Sequence, residues 1–200
     1  MKNMLFFFIL ILTTIGFAQN DETFVKALVA QKIAELEMQE YPEYFFRKEY
    51  CEGNIQSFIM PGGEYCTSTS TYYSVYVFWK EGEDKLNVQK FDNCGSFKPY
   101  TIVISKNITK ALKDKKGLKA EKIKPYMPDE KEVNATNTLA QSCFKEYKFF
   151  LEGLVFEKTF KEEDFTKNSD NKSLALFKLD EDISEMIGYF EMNGKFFREN

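Results

Sequence analysis

Apolar positions recur with a helical period near the start of the chain and alternate with polar positions further on. Asn20 and Asp21 can cap a helix, and apolar residues return every third or fourth position from 25 to 36. This spacing predicts a helix that reaches about Gln39. Its apolar stripe is narrow, so we expect the helix to lie across a sheet with its charged side in water.

Two hairpins are the clearest β features of the sequence. Residues 73–79 alternate in a way that favours a strand buried on both sides, and a turn at residues 81–84 leads to a return strand through Leu86 and Val88. Two further apolar segments, 144–151 and 154–160, flank a Glu-Gly turn. Each pair predicts adjacent antiparallel strands.

Weaker patterns fill the rest of the chain. Residues 44–60 suggest two short strands around a turn, and Asn107 can cap a lysine-rich helix that stops at Gly117. Near the C-terminus, the leucines at 174, 176 and 179 form a strand-like run, followed by a short helix that residues 180–182 open.

Together these elements predict an α+β fold. We expect an antiparallel sheet from two or more hairpins, with the N-terminal helix and the lysine-rich helix packed on it. The length suits a single globular domain over residues 19–200, and residues 125–138 are predicted to be an exposed connection.

The first 18 residues have the pattern of a secretory signal peptide. Lys2 gives a positive start, residues 5–15 are almost all apolar, and small residues precede a cleavage site before Gln19. A membrane anchor is the alternative, but the apolar run is short for a span. We therefore expect an exported protein, periplasmic or extracellular, with no stable membrane span after cleavage. The Lys-, Asn- and Phe-rich composition is typical of an AT-rich bacterial genome.

Four cysteines in an exported chain predict two disulfide bonds. We favour Cys51–Cys66 with Cys94–Cys143, because the first bond closes a short local loop and the second ties the two halves of the chain together. Pairing Cys66 with Cys94 is the main rival, since these two bracket the first hairpin and would leave Cys51 for Cys143. The spacings do not fit a structural zinc site.

Charge and aromatic residues suggest a binding surface. The chain has a formal net charge of −4, which argues against nonspecific nucleic-acid binding. A lysine-rich stretch could nevertheless contact a glycan, an anionic surface or an unknown protein partner, and the single tryptophan, Trp79, could contact a ligand. For both, a solvated or packing role is the simpler interpretation. The candidate surface residues are Trp79, Lys106, Lys110, Lys113, Lys116 and Lys119.

No motif names an activity. The chain has no histidine, and no nucleophile elbow, phosphate loop or spaced metal ligands occur, so we predict no catalytic residue, metal or cofactor. The sequence favours an exported, non-catalytic binding or interaction domain of unknown ligand. An inhibitor of a secreted enzyme is the first alternative, and a hydrolase that uses two carboxylates is the second.

Overall fold

The structure is a computed structural model that describes residues 21–128 and 142–199. The proposed signal peptide and residues 129–138 of the proposed connection lie outside this part of the chain. The helices are α1 (Asp21–Met38), α2 (Lys106–Lys113), α3 (Lys115–Ala120), α4 (Glu162–Thr166) and α5 (Ala175–Met192), with a 3-10 helix at Ser169–Ser173. The strands are β1 (Glu43–Cys51), β2 (Ser57–Ile59), β3 (Tyr65–Thr67), β4 (Tyr73–Glu81), β5 (Lys85–Asp92), β6 (Gly95–Ser96), β7 (Tyr100–Val103), β8 (Cys143–Leu151) and β9 (Leu154–Lys161).

Antiparallel pairing joins most of the strands into one sheet, in the order β6-β5-β4-β1-β8-β9, with β7 also paired to β5. The α+β class and both predicted hairpins are confirmed, since β4 pairs with β5 and β8 with β9. Of the two strands expected in residues 44–60, the first is the long β1, which lies between the hairpins. The second, β2, pairs with β3 in a separate ribbon.

The predicted N-terminal helix, α1, covers one face of the sheet. Val25, Val29 and Leu36 of α1 are buried against a cluster that includes Val77 and Trp79 of β4. The helix lies over β4 and β5. Because its opposite side stays charged and exposed, the narrow apolar stripe is enough to anchor it.

The other face of the sheet, which we call the bundle face, carries α2, α3 and α5. Its centre is a row of stacked rings, in which Phe45 lies 4.7 Å from Phe78 and 5.4 Å from Phe149 between ring centroids. Leu176 and Ile183 of α5 pack on the same core. These apolar contacts hold the first half of α5 against the sheet.

The strand predicted over residues 174–179 is wrong, because these residues form the first turns of α5. The leucines that resemble a strand pattern also fit a helix, since Leu176, Leu179 and Ile183 lie on one buried side. A distant residue supports the helix start: the Glu121 carboxylate accepts hydrogen bonds from the backbone of Ala175 at 2.6 Å and Leu176 at 3.0 Å. A contact made across 54 residues of chain is invisible to local pattern analysis.

The lysine-rich helix also differs from its prediction. Its cap is Ser105, not Asn107, and the hydroxyl of Ser105 accepts a hydrogen bond from Ile108. The helix breaks at Asp114, whose carboxylate caps α3 by accepting from the Gly117 backbone. A Cβ at Gly117 would overlap that carboxylate, so the glycine supports a helix start here.

Two disulfides are present, as predicted, but the favoured pairing is wrong. The bonds are Cys51–Cys143 and Cys66–Cys94, the pairing of the rival prediction. The reason is the sheet order: β1 and β8 are neighbours, and their register places Cys51 directly opposite Cys143 with the Cα atoms 4.0 Å apart. The second bond ties β3 to the turn after β5.

Candidate ligand-binding cavity

The lysines singled out in the sequence are exposed on two short helices. Lys106, Lys110 and Lys113 lie on α2, while Lys116 and Lys119 lie on α3. The spacing of the first three places them along one side of α2. They form a row of cations that faces away from the sheet.

Trp79 lies on the opposite face of the sheet from these lysines. Its side chain is only 6% exposed beneath α1, and the Lys32 ammonium sits 4.3 Å from the ring centroid. The tryptophan and the lysine row therefore do not share one surface. The tertiary structure gives Trp79 a packing contact and a cation–π contact with α1.

A different group of side chains meets on the bundle face, one step beyond its apolar half. Lys90, Tyr76, Arg47 and Tyr147 face one another across β5, β4, β1 and β8 in consecutive register. Because side chains two residues apart share a face, this polar row lies next to the stacked phenylalanines. A second row follows, with Ser74, Glu49 and Lys145. We call the two rows the polar platform.

Arg47 is at the centre of this platform. Its side chain is 3% exposed, forms an ion pair with Glu49, and places Nη1 3.5 Å from a carboxylate oxygen of Asp180. The Nε and Nη1 atoms are buried and have no hydrogen-bond partner among the described residues. Buried donors without a protein partner are rare in folded proteins, and many of them bind an ordered water or a ligand.

Asp180 of α5 joins the platform to the helix above it. The Tyr147 hydroxyl donates to Asp180 at 2.8 Å, and the Lys145 ammonium donates to the other oxygen at 2.9 Å. The same ammonium lies 3.3 Å from the Ser184 hydroxyl, one turn further along α5. These contacts anchor the middle of α5 over the platform.

Glu191 makes a second link, near the end of α5. Its carboxylate accepts hydrogen bonds from the Lys90 ammonium and, at 3.2 Å, from the Tyr76 hydroxyl. The two links are separated by about three turns of helix. Between them Ile183 and Ile187 pack on the core, while the side of the helix that carries Ser184 and Gly188 borders open space.

A cavity of about 510 Å³ occupies that space. The polar platform without the buried Tyr147 forms its floor, and Ser184, Ile187 and Gly188 of α5 form its roof. Phe58 of the β2–β3 ribbon and Glu162 of α4 also line it. A Cβ atom built on Gly188 would meet no atom within 4 Å, so this helical glycine faces open space.

Burial and charge keep the polar platform in a defined protonation state. Burial raises the pKa of Tyr76 and of Tyr147 well above the ordinary value, and nearby carboxylates raise it further, so both hydroxyls stay protonated. Burial alone would lower the pKa of Arg47, but its acidic neighbours, Tyr147, Glu49 and Asp180, outweigh it and raise the pKa. Both tyrosine hydroxyls therefore keep donating to Asp180 and Glu191 at neutral pH, and the guanidinium of Arg47 stays charged between them.

The opposite face of the sheet has a second cavity, a groove of about 420 Å³ between α1 and the β1 and β8 strands. Val29 and Ile33 of α1 line one side, and Phe46 and Phe150 form the floor. The charged groups at its edge pair with one another, as in Lys48 with Glu146 and Lys148 with Glu157. Nothing in the structure shows what covers this apolar groove.

Sequence analysis did not identify the polar platform. A signal was present: Arg47, Lys90 and Lys145 are charged residues inside strands, at positions where alternation places apolar neighbours on the same face. Charged residues at such positions are seldom buried unless they are paired. Their partners lie on other strands and on α5, so the sequence alone could not show that they meet.

The comparisons with known proteins give no relative: no protein-family model and no curated protein matches the chain. Within residues 21–128 and 142–199, no group of three or more Cys, Asp or Glu side chains is placed to hold a metal ion. In the same ranges, no helix is long and apolar enough to cross a membrane.

Proposed function

We propose that this protein is a non-catalytic binding domain that holds a small ligand in the cavity between the polar platform and α5. The volume of about 510 Å³ falls within the range of about 300–1,000 Å³ that is typical of ligand sites. The lining is largely polar and charged, with Phe58, Phe144 and Ile187 as its apolar part, so it suits a polar ligand more than an apolar one.

The observation that carries the proposal is the position of Gly188. A glycine inside a helix costs about 1 kcal/mol relative to alanine. Gly188 lies within the 18-residue α5 at the roof of the cavity, and a side chain there would occupy open space. A residue that weakens the helix and leaves the cavity open is what a binding site needs at this position.

The contacts of the polar groups support binding over catalysis. Ser184 has a lysine neighbour, but the Lys145 ammonium also donates to Asp180 at 2.9 Å, and its contacts tie α5 to β8. The carboxylates of Glu49 and Glu191 at the cavity already accept hydrogen bonds from Arg47 and Lys90. Both carboxylates are thereby held in ion pairs with cations of the platform, an arrangement suited to a fixed polar binding surface.

The test is a ligand screen with a variant that fills the cavity. Gly188→Leu places four carbon atoms in the open space and improves the helix propensity, so we expect a folded protein without a binding site. Glu185→Leu is the matched control, since it introduces the same side chain on the exposed surface of α5. Thermal shifts are measured against saccharides, amino acids, carboxylic acids and nucleosides.

The proposal predicts that at least one class of compound raises the melting temperature of the natural protein and of Glu185→Leu, but not of Gly188→Leu. Equal shifts in all three proteins would place binding elsewhere and overturn the proposal. Gly188→Ala serves as a second variant, with a smaller loss of binding and a helix more stable by about 1 kcal/mol.

Export stays part of the proposal. The two disulfides are compatible with an oxidising compartment, periplasmic or extracellular. Inhibition of a secreted enzyme is retained as the alternative function. An inhibitor would use its outer surface. The alternative therefore predicts a tight complex with a target enzyme, and the Gly188→Leu variant should form this complex as tightly as the natural protein.

The exposed lysine row on α2 supports a second proposal, contact with an anionic surface or partner. Lys106, Lys110 and Lys113 are exposed, and α2 itself contains no acidic residue. A local excess of cations on an acidic protein attracts anionic surfaces at low salt.

A further inference from the structure

We infer that the ligand of the polar cavity is a small uncharged saccharide of one or two sugar rings. The inference rests on the proposed function and adds the chemical class of the ligand. It follows from three features of the cavity: its charge balance, the pairing of those charges, and its aromatic lining.

The charges of the lining residues cancel, and the Asp180 carboxylate behind them is paired with Lys145 and lies close to Arg47. Three cationic side chains line it, and so do three anionic ones: Arg47, Lys90, Lys145, Glu49, Glu162 and Glu191. A ligand with a net charge would enter without a counter-charge and would lose its own hydration. A neutral ligand avoids that cost, so the balance favours an uncharged molecule.

The pairing of these charges favours hydroxyl groups over a zwitterion such as an amino acid. Arg47 is already paired with Glu49, and Lys90 with Glu191. A zwitterion would have to break two such pairs to place its own charges. A hydroxyl both donates and accepts, so it can use the remaining lone pairs of Glu191 and the free hydrogens of Lys90 without separating them.

Arg47 offers a further attachment point. Its Nε and Nη1 atoms lack a hydrogen bond within the described part of the chain, although its charge is balanced by Glu49 and Asp180. A donor whose charge is already balanced needs an uncharged acceptor, such as a hydroxyl or ring oxygen, or a water that bridges to one. An anion at the same place would compete with the two carboxylates.

The aromatic lining suits the carbon face of a sugar ring. Phe58 is half-buried at the cavity, with the Tyr72 ring tilted against it at 5.2 Å and the Arg198 guanidinium 5.2 Å from its centroid, so part of the ring stays open to a ligand. The negative face of an aromatic ring attracts the weakly positive C–H groups of a pyranose. The volume of about 510 Å³ is large enough for one or two sugar rings.

The experiment compares neutral sugars with charged analogues of nearly the same size and shape. The probes are glucose, glucuronate and glucosamine, the matching galactose series, mannose, cellobiose and lactose. Binding is detected by saturation-transfer NMR and measured by calorimetry. We expect at least one neutral sugar to bind, and its acidic and amino analogues to bind about tenfold more weakly because each buries an unpaired charge. Affinity for the neutral sugar should change less than about twofold between about 0.05 M and about 0.5 M salt.

A charge reversal at the cavity edge tests directly whether the balance of charges in the lining selects against charged sugars. Glu162→Lys changes a lining residue that is exposed, and Glu163→Lys makes the same change at an exposed neighbour that does not line the cavity. In Glu162→Lys we expect the affinity ratio of acidic to neutral sugar to rise about threefold or more. The ratio should stay unchanged in Glu163→Lys.

Each outcome separates the inference from the proposed function. Neutral sugars that bind the natural protein and not Gly188→Leu support both. An amino acid, carboxylate or nucleoside that binds in a Gly188-dependent way, with no neutral sugar bound, overturns the ligand class and leaves the binding function standing. A sugar that binds Gly188→Leu equally well overturns the inference, because the sugar site is then outside the cavity. If no class of compound binds, both are overturned.

Discussion

The guanidinium of Arg198 donates two parallel hydrogen bonds to the carboxylate of Asp92, from Nη1 to Oδ1 at 2.9 Å and from Nη2 to Oδ2 at 2.7 Å. Asp92 is fully buried, and it also accepts from the Tyr72 hydroxyl at 2.9 Å. The Arg198 guanidinium lies 4.3 Å above the ring of Phe97. This contact attaches the C-terminal segment to β5, close to the β2–β3 ribbon that lines the cavity.

Loss of Arg198 should therefore destabilise the whole protein. Arg198→Met leaves the buried Asp92 carboxylate without its cation, and we expect the free energy of unfolding to fall by about 3 kcal/mol. Lys178→Met is the control, since it removes an exposed cation from α5 and should change stability by less than about 0.5 kcal/mol. Urea denaturation followed by tryptophan fluorescence measures both. Equal stability of the two variants would mean that the Asp92 pair contributes nothing.

The two disulfides should contribute unequally. Cys51–Cys143 spans 92 residues of sequence and Cys66–Cys94 spans 28. In the chain-entropy model their removal costs about 4.5 and about 3.5 kcal/mol, respectively, since a longer loop constrains the unfolded chain more. Paired Cys→Ser variants, unfolded in urea under the same conditions, compare the two bonds.

The pairing itself is checked by peptide mapping of the unreduced protein. Trypsin leaves Cys51 and Cys66 in one peptide, so a second cut after Glu64 separates them. We expect the two halves to be linked to the Cys143 and Cys94 peptides, respectively. A bond between Cys51 and Cys66 would contradict the structure.

Acid should weaken the attachment of α1. Burial alone would raise the pKa of Asp21, but hydrogen bonds from Thr69 and Ser70 outweigh it and lower the pKa below the ordinary value of 3.8. A hydrogen bond from Lys48 likewise lowers the pKa of Glu22. A lowered pKa means that the stabilisation is complete above the ordinary value and is lost as the pH falls through the lowered value.

We therefore expect the free energy of unfolding to be constant above about pH 4 as far as these two carboxylates contribute, and to decrease below about pH 4. Asp21→Asn should cost about 1–2 kcal/mol at pH 7 and show a shallower decline in acid, because the titrating group is gone. Asp84→Asn, at an exposed turn, should follow the natural protein. A parallel decline in Asp21→Asn and the natural protein would show that other carboxylates dominate.

The lysine row on α2 can be tested by charge reversal, with a control variant that changes the net charge by the same amount. The triple change of Lys106, Lys110 and Lys113 to Glu should abolish sedimentation with phosphatidylserine-containing vesicles at low salt, because the row supplies the local attraction. The control reverses three other exposed lysines, Lys122, Lys172 and Lys178. If both triple variants bind equally, or the natural protein does not bind, the α2 surface has no such role.

Local pattern decided most of the secondary structure. The hairpins at β4–β5 and β8–β9 and the helix α1 follow from alternation and helical spacing, which depend on residues close in sequence. The pattern failed where a short apolar run fits both periods. Leu174 to Leu179 is such a run, and its helical state depends on Glu121, a distant residue that caps the helix.

The sequence by itself determined the α+β class, both hairpins and the presence of two disulfides, because all of these follow from local spacing and from the count of cysteines. Only the tertiary structure decided the cysteine pairing and the polar platform. Both depend on β1 lying between β4 and β8, which places Cys51 beside Cys143 and Arg47 between Tyr76 and Tyr147. Strand order is fixed by the packing of whole faces of the sheet, and no local segment carries that information.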